Sequence, residues 1–304
     1  MAERILQYID EQNKPLTIAQ INKNTKEKAE VYHNLGRAYY SLEDFHQVIE
    51  YHNQHLRITK EVGNRAGEGC AYGNLGVTYH SLEEFQRAIE YHHQNLRIAK
   101  EVGDRAGEGC AYGKLGVTYH SLEEFQRAIQ CHNQHLRIAK EVGDRAGEGC
   151  AYGNLGVTYH SLKEFQRAIE YQHQNLSIAK EVGDRAGQGK AYNNLGATYH
   201  SLNEFQRAIE YTNKHLIIAK EVGDRAGQGK AYNNLGLAYH SLNEFQRAIE
   251  YNNKYLFIAK EVGDRVGEGK AYASLGLAYH SLNEFQRAIA VSYTHLTLPT
   301  KRIV

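Results

Sequence analysis

Apolar and polar residues alternate along this chain with the spacing of α-helices, and the whole pattern returns every 40 residues. The block that begins at Ala71 recurs almost unchanged at Ala111 and Ala151. Looser copies begin at Val31, Ala191, Ala231 and Ala271. One block cannot bury its apolar face alone, so successive blocks must stack on one another. The pattern predicts an all-α solenoid of stacked antiparallel helical hairpins.

The unit from Asp104 to Gly143 shows how one hairpin is built. Asp104 precedes the first helix and can cap it. The apolar face of that helix has three- and four-residue spacing and consists of Cys110, Tyr112, Leu115, Gly116 and Tyr119. The second helix has the apolar stripe Phe125, Ala128, Ile129, Leu136, Ile138, Ala139 and Val142. Gly143 then suits a left-handed helix end.

The junction between the two helices allows two further predictions. The run Ser121-Leu122-Glu123-Glu124 has the Ser-x-x-Glu form of a capping box, which predicts that the second helix begins there. Gly116 lies inside the first helix, where glycine costs about 1 kcal/mol relative to alanine. We expect this cost to be offset by close approach of the two helices, with Ala128 opposite the glycine.

These residues resemble a known repeat family. Tyr-x-x-Leu-Gly-x-x-Tyr, followed by Phe and Ala, is similar to the tetratricopeptide repeat, and six copies over about residues 24–290 agree. The resemblance implies a right-handed superhelix. The 40-residue period resembles the longer repeats of the LGN/Pins adaptors. The family's turn between helices usually carries glycine, whereas this chain has glutamate, lysine or asparagine, and asparagine tolerates a left-handed backbone best.

The ends of the array differ from its repeats. We expect residues 1–23 to form a degenerate helical cap, which Pro15 divides into two pieces. Residues 24–290 hold six full repeats and a partial seventh. Residues 291–304 lack the repeat pattern, and we expect an irregular or disordered tail that can be non-native.

The resemblance implies that partners lie as extended peptides in a concave groove lined by the first helices. The matching polar positions are Asn34, Asn74, Lys114, Asn154, Asn194, Asn234, Lys190, Lys230, Lys270, His200 and His240. A row of amides offers donors and acceptors to a peptide backbone. The alternative is that the asparagines are solvated or bond a neighbouring helix. The lysines suit an acidic segment with apolar anchors, unless they are merely solvated.

Composition and motifs exclude several other function classes. Lys plus Arg total 36 and Asp plus Glu 35, so no overall charge favours nucleic acid or an anionic membrane. There is no run of 18 apolar residues, and four cysteines do not make a disulfide framework, which favours a cytoplasmic location. Neither zinc-site spacing nor a catalytic motif is present. We therefore expect no metal, no cofactor, no small-molecule substrate and no catalysis.

The sequence thus favours a protein–protein interaction scaffold that binds linear peptide motifs. One alternative is the repeat or sensor region of a larger signalling protein or enzyme. Another is single-stranded RNA binding, which needs a basic concave face. Residues 71–110 carry four basic and six acidic side chains, which disfavours RNA. A salt-titrated RNA-binding assay separates the two classes, because phosphate contacts give a steep salt dependence.

Overall fold

The computed structural model describes Ile5, Gln7, Ile9 and residues 25–296, with side chains as far as residue 293. The chain forms two compact units, 1–154 and 155–304, called unit 1 and unit 2 below. Every regular element within the described residues is an α-helix, and consecutive helices pair as antiparallel hairpins. The predicted all-α solenoid of stacked hairpins is confirmed.

The described residues contain fourteen helices. We name them α1 to α14, and odd-numbered helices are the A helices and even-numbered ones the B helices of seven hairpins. Unit 1 contains α1 (Thr25–Ser41), α2 (Phe45–Glu61), α3 (Arg65–Ser81), α4 (Phe85–Glu101), α5 (Arg105–Ser121) and α6 (Phe125–Val142). The division falls within α7 (Arg145–Ser161). Unit 2 contains α8 (Phe165–Glu181), α9 (Arg185–Ser201), α10 (Phe205–Glu221), α11 (Arg225–Ser241), α12 (Phe245–Val262), α13 (Arg265–Ser281) and α14 (Phe285–Leu296).

The A helices begin where capping chemistry predicts. The Asp104 carboxylate accepts a hydrogen bond from the Gly107 backbone N–H at 2.8 Å, and this satisfies one free donor of the first turn. The same contact is made by Asn64, Asp144, Asp184, Asp224 and Asp264. Gly143 ends α6 with φ 71°, as its left-handed position requires. These parts of the hairpin prediction are confirmed.

The predicted capping box is wrong. Ser121 is the last residue of α5, and its hydroxyl donates to the Val117 carbonyl at 3.3 Å. Glu123 adopts φ 59°, and α6 begins only at Phe125. The left-handed turn residue lies two positions after Ser121. Ser121 therefore belongs to the end of α5 and does not cap α6. Left-handed residues occupy this turn in every hairpin: Glu43, Glu83, Glu123, Lys163, Asn203, Asn243 and Asn283.

The glycine in the middle of each A helix faces a polar side chain, which corrects the expected glycine–alanine contact. Ala128 is fully buried, but a Cβ on Gly116 would overlap the imidazole ring of His132. The side chains that fill this space in the first six hairpins are His52, His92, His132, Gln172, Thr212 and Asn252. Each is at most 2% exposed. Glycine is thus required to admit a polar group from the B helix.

The core lies between successive hairpins. In unit 1, Leu56 of α2 packs with Ala71, Leu75 and Tyr79 of α3 and Ala88 of α4. In unit 2, a matching cluster joins α10, α11 and partly buried residues of α12: Ile209, Leu216, Ala231, Leu235 and Ala238, with Tyr251 packed against them. A hairpin therefore buries its apolar face only against its neighbour, as stacking requires.

The terminal segments are only partly described. The expected cap at residues 1–23 lies largely outside the described residues, although Ile9 is 4% exposed and packs against Val31 and Leu35. At the other end, α14 continues to Leu296, six residues into the segment expected to be irregular. Residues 297–304 lie outside the described part. None of the described helices is both long and apolar enough to cross a bilayer.

Candidate peptide-binding faces of the A helices

The A helices of successive hairpins lie next to one another within each unit, and each leaves one side exposed. We call this side the A face of unit 1 or of unit 2. Four positions per helix define it: a leading position (Cys70 in α3), an amide position (Asn74), an apolar position (Val77) and a histidine position (His80). All four side chains are half-buried or exposed, so they are accessible to a partner.

The A face of unit 1 is apolar and carries thiols. Cys70, Cys110 and Cys150 are exposed and are not joined in disulfides. A groove of about 470 Å³ runs over α3, α5 and α7 of this unit. Its lining includes Val77, Cys110, Lys114, Val117, Cys150 and Asn154. Its floor is formed by His92 and His135 of the B helices, because Gly113 leaves His135 uncovered.

The A face of unit 2 is cationic. Lys190, Lys230 and Lys270 occupy the leading position and are all exposed. The apolar position holds Leu237, 42% exposed, and Leu277, 63% exposed. Exposed leucines beside a row of lysines form a surface that combines apolar and cationic contacts.

Two of the predicted groove asparagines bond a neighbouring helix. The Asn74 amide nitrogen lies 3.4 Å from Nδ1 of His33 in α1. The Asn234 amide donates to Oδ1 of Asn193 in α9 at 3.2 Å. Asn194 accepts a contact at 3.5 Å from Asn193 within its own helix. At Asn74 and Asn234 the geometry favours the alternative reading, in which the amides join successive A helices. Asn34, Lys114 and Asn154 are half-buried on the same face.

The predicted groove histidines also join successive A helices. Nε2 of His200 lies 3.4 Å from the Ser241 hydroxyl, and Nε2 of His240 lies 3.4 Å from the Ser281 hydroxyl. In unit 1, His80 contacts Ser121 in the same way at 3.1 Å. Burial lowers the pKa of His200 below its usual value, which favours the neutral ring in this contact. These histidines stabilise the stack as well as bordering the A face.

Sequence reasoning missed the row of buried polar side chains beneath the A faces. In unit 1 these are His52, His92 and His132, and burial lowers the pKa of each to about 3. They are therefore neutral at physiological pH. The signal was present in the sequence, because each lies sixteen residues after a mid-helix glycine.

Sequence reasoning also missed a cluster of three histidines in the first hairpin. His33 of α1 meets His52 and His55 of α2, and one ring nitrogen from each lies within 4.8 Å of the others. Spacing along the chain does not reveal such a group, because a pair on one helix is completed by a residue of another.

Comparison with family models agrees with this geometry. A model described as tetratricopeptide repeat matches residues 67–141 and 147–221. Two further models with the same description match residues 31–66 and 229–259. Together these matches cover more than half of the chain. No curated protein sequence matches it.

Solved structures share the fold at low sequence identity. Aspartyl phosphate phosphatase F from Bacillus subtilis has a TM-score of 0.70 at 16% identity, with 93% of this chain and 74% of that chain covered. The STAND protein PH0952 from Pyrococcus horikoshii, a signal transduction ATPase with a tetratricopeptide repeat sensor, has a TM-score of 0.69 at 16% identity, with 97% and 47% covered. A Rap protein complexed with competence and sporulation factor has a TM-score of 0.63 at 13% identity, with 97% of each chain covered.

Proposed function

We propose that this chain, which belongs to the tetratricopeptide repeat proteins, is a non-catalytic scaffold that binds extended peptide segments of partner proteins on its A faces. The observation that carries the proposal is the exposed apolar side chain that recurs at the apolar position of α5, α7, α11 and α13. Val117, Leu237 and Leu277 are 38%, 42% and 63% exposed. Apolar residues at regular intervals, flanked by polar ones, suit the alternating side chains of an extended peptide.

The cationic A face of unit 2 specifies one class of ligand. Lys190, Lys230 and Lys270 recur once per hairpin and make no ion pair with a carboxylate among the described residues, unlike Lys214 and Lys254, which pair with Glu210 and Glu250. A regular row of cations attracts an acidic segment and raises its association rate. The exposed leucines beside this row supply apolar contacts. We therefore expect an acidic peptide with apolar anchors to bind unit 2.

The likeness to known proteins supports a role in binding and leaves the partner open. The Rap protein of similar fold is complexed with competence and sporulation factor, and the repeat region of PH0952 is a sensor. A sensor region within a larger signalling protein is accordingly the second candidate. The 40-residue period fits an LGN/Pins-like adaptor. Free cysteines fit a reducing compartment, and we place the protein in the cytoplasm.

The test measures binding of a fluorescently labelled acidic peptide with leucine anchors to the full chain. Lys190, Lys230 and Lys270 are changed together to Glu. We expect affinity to fall at least about tenfold, the equivalent of 1.4 kcal/mol, because attraction becomes repulsion. The measurement is fluorescence anisotropy at low and physiological salt, with a single-stranded RNA as a second probe.

A matched control changes Lys180, Lys220 and Lys260 of the B helices to Glu. This control alters the net charge of unit 2 equally, but its lysines lie over tyrosine rings away from the A face. Its affinity should stay close to that of the unaltered chain. Equal loss in both variants would show that only net charge attracts the peptide and would refute the A face as the binding surface.

A further inference from the structure

The three histidines of the first hairpin form a compact group of metal-ligating side chains. His33 comes from α1, and His52 and His55 lie three residues apart on one face of α2. The His33 ring centre is 6.1 Å from that of His52 and 5.3 Å from that of His55. The rings are tilted against one another, so this is not a stacked aromatic cluster.

Two of these rings contain buried polar atoms that nothing in the described part of the chain satisfies. His52 is 2% exposed and His55 is 6% exposed. Nδ1 of each is buried and has no hydrogen-bond partner among the described residues. A buried polar atom without a partner loses its hydrogen bonds to water and gains none in return, and most proteins avoid it. The third hairpin shares this feature at His132 and His135, and the first hairpin differs in adding a third ring, that of His33, to the pair.

We propose that His33, His52 and His55 bind a divalent transition metal ion of the zinc class. Imidazole nitrogen suits zinc, copper and nickel, and three histidines are a sufficient protein ligand set for zinc when a fourth position is left to solvent or another ligand. The ion would use the buried nitrogens that lack partners. The site is separate from the lysine row of unit 2 and does not depend on the proposed peptide binding.

The surroundings of the cluster agree with such a site. His52 lines a cavity of about 600 Å³ that includes Asn34 and Arg37 of the exposed side of α1, and this cavity gives an ion a path to the ring. Nitrogens around tetrahedral zinc lie about 3.4 Å apart. His33 is half-exposed, so it can make the approach of up to about 1.4 Å that shortens the 4.8 Å separation to that of zinc ligands.

The repeat provides an internal comparison for this cluster. The third hairpin retains the helix B pair as His132 and His135, both buried, but has Gly113 where the first hairpin has His33. In the fifth and sixth hairpins the same position holds Asn193 and Asn233. Asparagine is therefore compatible with the A helix at this position, so His33→Asn can remove one ligand without disturbing the hairpin.

The experiment titrates ZnCl2 into the full chain, purified without a polyhistidine tag, and measures binding by calorimetry and the melting temperature by circular dichroism. We expect one saturable ion per chain and a melting temperature that rises with zinc, because binding favours the folded state. His33→Asn should fold normally, weaken binding at least tenfold and abolish most of the melting shift. The matched control is His132→Asn, which removes one of the two histidines of the third hairpin. This variant should bind zinc like the unaltered chain.

Cobalt as a second probe reports the ligand set directly. Co²⁺ bound in the same place should give the visible absorption of a low-symmetry nitrogen site, and this absorption should be lost in His33→Asn. Absence of saturable zinc binding by the unaltered chain would overturn the proposal. Equal binding by His33→Asn would also overturn it, since the ion would then be held by other histidines.

Discussion

Unit 1 and unit 2 are built from almost the same hairpin, yet they differ at two positions of the repeat that lie on or beneath the A face. The buried position beneath the A face holds His52, His92 and His132 in unit 1, but Gln172, Thr212 and Asn252 in unit 2. The leading position of the A face holds exposed cysteine in α3, α5 and α7 of unit 1 and exposed lysine in α9, α11 and α13 of unit 2. The backbone of the turn is the same in both units, since its left-handed residue has φ 59–60° in every hairpin.

This comparison shows which positions determine the hairpin and which are available to vary. Caps, left-handed turns and the mid-helix glycine fix the path of the backbone, so they recur in both units. The side chain that fills the space beside the glycine need only be polar and of suitable size. The leading position meets solvent, so it can change from thiol to ammonium without affecting the fold.

The largest expected difference between the units is their response to acid. His92 and His132 have pKa values of about 3 in the folded chain and about 6.5 when unfolded. Between these values the unfolded chain binds protons that the folded chain does not. The contribution of these histidines to the free energy of unfolding is therefore complete above pH 6.5 and is lost as the pH falls toward 3. At pH 5 the loss is about 2 kcal/mol per histidine.

Urea denaturation of the full chain at pH 7.5 and pH 5 checks this effect. His92→Gln with His132→Gln, which installs the residue that unit 2 uses at Gln172, should remove about 4 kcal/mol of the acid sensitivity. The exposed residue His46 provides the control, and His46→Gln should leave the sensitivity unaltered. An acid sensitivity that is the same in all three proteins would show that the buried histidines do not cause it.

A smaller effect is expected where alanine replaces the mid-helix glycine. Gly116→Ala would force its Cβ into the His132 ring, and overpacking of this kind costs about 1–3 kcal/mol, more than the roughly 1 kcal/mol gained in helix propensity. In Gly276→Ala of unit 2 the added Cβ meets the Ser292 hydroxyl at 3.0 Å, which can rotate away, and the Ala288 carbonyl oxygen at 3.9 Å, an ordinary contact distance. It should be neutral or stabilising by up to about 1 kcal/mol.

Thermal and urea melting of both single variants measures the difference. The double variant Gly116→Ala with His132→Ala gives the coupling, since the alanine at 116 should no longer be harmful once the ring is gone. A Gly116→Ala variant as stable as Gly276→Ala would mean that the ring is free to move aside.

The smallest expected effect concerns the turn between helices. Glu123 in unit 1 and Asn243 in unit 2 share φ 59°, and both are exposed. Asparagine occupies this backbone region more readily than glutamate. Glu123→Asn should therefore stabilise the chain by about 0.5 kcal/mol, and Asn243→Glu should destabilise it by a similar amount. Chemical denaturation of the pair checks the sign, and shifts in the same direction would contradict the explanation.

Much of the fold could be predicted from the sequence because it depends on local chemistry. Asp104 at the helix start and Gly143 at the helix end act through their own backbone neighbours, and both were placed correctly. The predicted capping box at Ser121 was wrong although it too was a local motif. Two local motifs competed for one segment, and the left-handed Glu123 decided the outcome.

The candidate site could be predicted only in part. The spacing of the A helix identified the exposed lysines Lys190, Lys230 and Lys270. It did not show that Asn234 and His200 bond the next A helix, since those contacts join residues about one repeat apart. Their role in peptide contact stays a prediction.

The 40-residue period with helical spacing is enough to specify a stack of helical hairpins, because it leaves each repeat an apolar face that only its neighbour can cover. Tertiary structure alone decided what fills the space beside each glycine and brought His33 to His52 and His55. The physical reason is the distance along the chain over which each interaction acts. Caps and periodicity act within one turn of helix, whereas a buried polar group or a metal-ligand cluster is defined by side chains that meet across two helices.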